Sequence, residues 1–267
     1  MSNTKTISPY LFTILLLSII GLVGFIPLEN FLLSCSFSSF QAEYIHLLAK
    51  TSVLALLGYV LIKKWNLTVI SGLSTKYAWK FSYLNLIPAY LMLLGIASVL
   101  SADFTNIELP NVILLLLSFL GVGFFEEFLF RGVLQSLFLK KYSSLKSGIF
   151  LGTFIPAFAF GLFHLVNISP DEPIVPVLIQ VIFATLIGFF FGVLLLKTNK
   201  LMPLVITHAL INFFFSLQFL PNFKSEVAEE PASITSIIIC LPLFIIALFL
   251  LKKIDKTEVQ EKLSQSF

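Results

Sequence analysis

Asn111–Leu139 reads NVILLLLSFLGVGFFEEFLFRGVLQSLFL, and its only ionisable groups are Glu126, Glu127 and Arg131. About 20 apolar residues cross a bilayer, so the run is long enough to span with some to spare. Each charged side chain near the bilayer centre costs at least about 2.5–3.5 kcal/mol on insertion scales. A span that keeps two adjacent carboxylates and a guanidinium at its centre has a use for them.

The rest of the chain agrees with a membrane setting. Of 267 residues, 58% are hydrophobic and 12% charged, and the mean hydropathy is +0.99. A soluble domain would carry about twice that charged share. Eight spans follow from length and hydropathy, at about Tyr10–Ile26, Tyr44–Ile62, Ser82–Leu100, Asn111–Leu139, Ser147–Val166, Ile174–Leu196, Leu201–Phe219 and Ser233–Leu251. The expected fold is an all-α polytopic helical bundle forming a single integral membrane domain over residues 1–267. Its core lies at about 111–219, spans one to three and eight are peripheral, and 252–267 form a short, charged, frayed tail. The first apolar run has a weak basic flank in Lys5 and no clean small-x-small site, so it is expected to be a retained helix rather than a signal peptide. The fourth span is expected to tilt, or to break near Gly121 and Gly123.

Charge falls on alternate loops. Lys5, Lys63, Lys64, Lys76, Lys80, Lys140, Lys141, Lys146, Lys197, Lys200, Lys252, Lys253, Lys256 and Lys262 belong to one side. The other side carries Glu29, Glu43, Asp103, Glu108, Asp171, Glu172, Glu226, Glu229 and Glu230, with Lys224 as the basic exception. The positive-inside rule then places both termini in the cytoplasm. Lys50, inside span two, is expected to snorkel. No basic tract suggests nucleic acid, and Cys35 and Cys240 have no ligand or disulfide spacing. Ala184, Gly188 and Gly192 make a smooth stripe on span six, read as a helix-packing surface.

On a helix, Glu127 and Arg131 share a face as an i, i+4 pair. An ion pair locking two helices accounts for both of them. It leaves over Glu126, which points about 100° away and has no sequence-local cation; an unpaired carboxylate in a dry setting suits a general base. Of the three histidines, His46 lies at the end of its span without a partner at helical spacing. His164 follows Phe160 by four residues, and His208 precedes Asn212 by four. Glutamate, two histidines and an asparagine can converge in a bundle interior and polarise a water, directly or through a metal. Histidine and carboxylate are ordinary zinc ligands and an asparagine amide is a poor one. A divalent metal such as zinc on Glu126, His164 and His208 is therefore allowed and not required.

These residues form three motifs in order: EExxxR at Glu126, Glu127 and Arg131, FxxxH at Phe160 and His164, and HxxxN at His208 and Asn212. In them the chain resembles the CPBP (Abi) family of intramembrane proteases, which includes the type II CAAX prenyl endopeptidases. The resemblance covers about Gly121–Phe215. It implies hydrolysis of a peptide bond in a membrane-embedded or lipid-attached substrate. Glu126 and His164 would activate water, and His208 with Asn212 would hold the oxyanion or position that water. Glu127, Arg131 and Phe160 would support them. Peptide processing and bacteriocin self-immunity are roles found among bacterial members. The Lys- and Phe-rich composition and short loops suggest a bacterial cytoplasmic membrane.

Two rivals come from other classes. A non-catalytic membrane scaffold or chaperone would use the same fold, but the six polar motif positions are intact. A proton- or cation-coupled transporter would show repeated halves, and none is visible. One geometric condition stands against a common site. By helix rise, His208 lies roughly 10 Å from the start of span seven, Glu126 lies at mid-span, and His164 lies near the far end of span five.

Overall fold

The computed structural model describes residues 8–100, 102–168, 173–223 and 232–266. Lys5, Asp171, Glu172, Lys224, Glu226, Glu229, Glu230 and Phe267 lie outside them. The regular elements are helices: α1 Pro9–Gly24, α2 Leu28–Ser34, α3 Ser39–Lys64, α4 Ala89–Ala97, α5 Leu109–Glu126, α6 Gln135–Tyr142, α7 Gly148–Phe163, α8 Ile174–Thr198, α9 Met202–Ser216, α10 Ile234–Leu251 and α11 Lys256–Ser264. Among the described residues, seven stretches are long and apolar enough to cross a membrane. The protein is an integral membrane helical bundle.

Span three differs from the expected continuous helix. It is a short 3₁₀ turn, Ser82–Leu86, followed by α4. Pro88 lies between them and cannot donate to a continuing helix. The segment still runs the full height of the bundle. At its start the Lys80 amide donates to Thr198 O at 3.0 Å, and beyond its end the Phe104 ring packs edge-on against Phe223. Seven long helices and one short, broken one therefore bring both described ends of the chain to the same end of the bundle. Tyr10 and Tyr142 join their hydroxyls there, and Lys256 Nζ donates to Lys146 O at 2.7 Å.

The lysine-rich end is closed. Residues 65–81 fold back under the helices and bury Leu67, Ile70 and Ser71. Gly72 has φ +73°, and its carbonyl accepts from the Leu201 amide. The expected frayed tail is instead α11, laid over this segment with Val259, Lys262 and Leu263 buried. Asp255 caps it by accepting from the Thr257 and Glu258 amides. Lys262 donates to Asn199 in the α8–α9 turn, and Glu258 takes ion pairs from Lys262 at 2.8 Å and Lys80 at 3.0 Å. Burial acts to raise the Glu258 carboxyl, but hydrogen bonds and charge from these two lysines outweigh it and hold the group down at about 2. A folded value below the ordinary 4.5 means that the docking contribution of Glu258 is full above pH 4.5 and disappears as pH falls through about 2. A dye on Gln260→Cys is expected to keep constant anisotropy from pH 7 to 5 and to loosen in that acid window. Glu258→Gln is expected to loosen it already at pH 7.

The closed end also settles the depth of the site. The α8–α9 turn is not at the bundle surface, since Thr198 and Asn199 are buried beneath 65–81 and α11. Span seven therefore starts deep, which lowers His208 further into the bundle. Glu126 and His164 lie equally far from the α6–α7 turn, sixteen residues from Tyr142 and Gly148 respectively, or roughly 24 Å by helix rise.

Candidate active site

The long fourth span does not break at Gly121 or Gly123. Both glycines are contact points, Gly121 against Thr51 of α3 and Gly123 against the backbone of α9. The irregularity comes after them. Glu127–Leu134 is a π-helix between α5 and α6, a wider coil that appears in short pieces, often at functional sites. It begins at the second glutamate and includes Arg131.

Here the glutamates meet one imidazole. His208, buried on α9, places Nε2 3.2 Å from Glu126 Oε2 and Nδ1 2.8 Å from Glu127 Oε1. Arg131 donates to the same Glu127 oxygen at 2.9 Å, as the i, i+4 spacing required. Glu126 thus finds its partner on another helix, out of reach of local sequence reasoning. Ionised carboxylates only accept hydrogen bonds, and a neutral imidazole donates only one. The hydrogen bond is to Glu127, and Glu126 stands within 3.2 Å of the other ring nitrogen.

Phe160 is the hinge of the cluster. Its ring lies 4.3 Å from the Arg131 guanidinium carbon, and its centroid lies 5.0 Å from that of His164 and 6.0 Å from that of His208, with both pairs edge-on. Arg131 is buried by this stacking and by Gly188, where an added Cβ would come within 3.0 Å of the guanidinium. The small-residue stripe on α8 is therefore a seat for Arg131 and Phe160 as well as a packing surface. His164 sits at the first position after α7, where the helix tightens to 3₁₀. Its Nδ1 lies 3.0 Å from the Phe160 carbonyl, which orients the ring.

Glu126, His164, His208 and Asn212 all line one cavity of about 430 Å³ bounded by α8, α9 and α10. The depth condition raised by the sequence is met. Of the expected pairs, Glu126 with His164 and His208 with Asn212 share cavity walls, while the direct contact, Glu126 with His208, joins residues the sequence did not pair. One polar residue outside the motifs joins them, and a second is buried outside the cavity. Gln180 of α8 faces the same cavity and accepts from the Asn167 amide at 2.9 Å. Buried Gln135 donates to Gly192 O at 2.9 Å. Both were visible as lone amides in apolar runs; the π-helix and the α10 wall left no signal.

Among the described residues, no three His, Cys, Asp or Glu side chains group as metal ligands. His208 Nε2 and Glu126 Oε2, 3.2 Å apart, have a separation that two ligands of one zinc can have, and Glu127 holds the other imidazole nitrogen as an outer partner would.

Close approach of α5 and α9 holds the cluster together. A Cβ on Gly123 would fall 2.6 Å from Val205 O and 3.1 Å from the Ala209 side chain. Backbone cannot yield there without carrying His208 with it. Gly123→Val is expected to lower stability by about 1–3 kcal/mol and to part Glu126 from His208, checked by thermal unfolding in detergent alongside activity.

The geometry can be set beside known proteins. Residues 108–214 match the model of the type II CAAX prenyl endopeptidase Rce1-like family. The match covers about two-fifths of the chain and holds all three motifs. No curated protein and no solved structure matches the chain. The Rce1-like family is one of peptidases, and its match falls on α5, the π-helix, α6, α7, α8 and most of α9. These are the elements that supply the cluster.

Proposed function

We propose that the protein is an intramembrane endopeptidase acting on membrane-embedded or lipid-attached polypeptides, with its lysine-rich end in the cytoplasm of a bacterial cell. The observation that carries the reading is that four polar residues from three separate motifs meet on one cavity wall inside an apolar bundle. Water drawn into that cavity lies against Glu126 and His164. Glu126 takes a proton from it as its oxygen adds to the peptide carbonyl carbon. His208, beside Glu126, and the Asn212 amide face the developing oxyanion. When the C–N bond breaks, Glu126 returns the proton to the leaving amine. Glu127 and Arg131 fix the position of His208, and Phe160 fixes Arg131 and both rings. No step draws on a metal.

The test is purified protein in proteoliposomes, given a farnesylated C-terminal peptide, its unprenylated counterpart and a set of single-span peptides, with products weighed by mass spectrometry. Hydrolysis of at least one class is expected. Asn212→Ala should cut kcat by about 10²–10³-fold, the usual loss for one oxyanion donor, and leave KM little changed. Binding of these peptides without any cleavage would favour the scaffold reading instead.

A further inference from the structure

A second cavity, of about 550 Å³, meets the first at the catalytic cluster. It lies between α1, α3 and α5, and the two share Phe119, Glu126, His164 and Gln180 as walls. The first cavity extends to Ala232 and Ser236 at the start of α10. The second extends to Gly24 and Phe25 at the end of α1 and to Asn167. All five of these residues lie at the end of the bundle opposite the lysines. No lining residue of either cavity comes from 65–81, 140–147, 197–201 or 252–266, the segments that make the lysine-rich end. Toward that end the cluster is backed by fully buried Leu134, Phe138, Phe190, Leu194 and Leu204. Leu67 and the docked α11 close it further.

We infer that the site is entered from the extracytoplasmic half of the membrane, and that its substrate is an apolar segment of an exported polypeptide cut at an internal bond. This rests on the peptidase reading above. Sidedness follows from the closed lysine-rich end, which the positive-inside rule assigns to the cytoplasm. Among the described residues the opposite end carries Glu29, Glu43, Asp103 and Glu108, with Lys50 as a lysine between them. The internal cut follows from the two arms, since a chain laid through both has residues on each side of the bond at Glu126. The apolar segment follows from the walls, where Phe119, Phe183, Ile187 and Ile211 in one arm face Ile20 and Phe125 in the other. A C-terminus presented from the cytoplasm has no route to Glu126.

The test separates entry from chemistry. In a Cys35→Ser, Cys240→Ala background, Gln180→Cys is treated with a membrane-impermeant maleimide in right-side-out and in inverted vesicles, and Lys64→Cys marks the lysine-rich end. Labelling of position 180 in right-side-out vesicles only, with position 64 giving the reverse, is expected. Labelling of position 180 from the inverted face overturns the inference. The same two preparations of the unsubstituted protein then receive an apolar peptide carrying a sulfonated dye at each end. Internal cleavage in right-side-out vesicles only is expected, and cleavage in inverted vesicles only overturns the substrate assignment. Outside labelling with cleavage in neither preparation overturns the peptidase reading while the route of entry stands.

Discussion

Glu126→Gln is expected to lower peptide hydrolysis by roughly 10²–10⁴-fold, the range for loss of a positioned general base, with little change in melting temperature. Glutamine keeps the size and shape of the side chain and can still meet His208 Nε2 across 3.2 Å. It cannot take a proton from water. The neighbouring substitution is expected to behave differently. Glu127 is fully buried and accepts from both Arg131 and His208, so Glu127→Gln leaves a guanidinium without its counter-charge. It should lower stability first and activity through it. Two adjacent glutamates thus separate into one read by kcat and one read by thermal unfolding. The measurement is kcat, KM and melting temperature for both variants in one detergent. A Glu126→Gln protein retaining more than about a tenth of wild-type kcat would remove Glu126 from the chemistry.

The bundle was legible in the sequence because a membrane leaves few choices: backbone groups must bond internally, so apolar runs of the right length are helices. The alternation of lysines and acids foretold that both described ends share one end of the molecule. Span three departs because Pro88 interrupts hydrogen bonding in a run whose composition alone suited a helix. The tail departs because its stabilising partners, Asn199, Lys80 and Tyr77, come from distant parts of the chain. A charged terminal peptide reads as solvated until its counter-charges are located.

The site was legible as a set of residues and illegible as a set of contacts. Glu127 with Arg131 and Phe160 with His164 lie four apart, and helical spacing reports such pairs directly. The contact of Glu126 with His208 joins residues 82 positions apart, and the π-helix has no compositional signature. Depth was misjudged for a physical reason as well. Counting 1.5 Å per residue from a loop assumes that the loop lies at the membrane surface, and the α8–α9 turn is buried beneath another segment.

Arg131→Met is expected to destabilise the protein by about 3–5 kcal/mol, the usual result of removing one partner from a buried ion pair. Methionine replaces most of the side-chain volume, so a cavity contributes little. The loss comes from Glu127, which would keep its charge in an apolar interior with only His208 for company. The stacking of guanidinium on Phe160 at 4.3 Å would go too, loosening the ring that orients His164 and His208. Activity should therefore fall along with stability, although Arg131 does not itself line the cavity that holds Glu126. Discharging the partner tests the cause. The double variant Glu127→Gln, Arg131→Met is expected to recover much of the lost stability, because exchanging a buried pair for neutral groups is often close to neutral. It should not recover activity, since His208 Nδ1 would then face an amide in place of a carboxylate and the ring beside Glu126 would be held differently. Equal instability of the single and double variants would mean that packing against Gly188 and Phe160, rather than charge, is what Arg131 supplies.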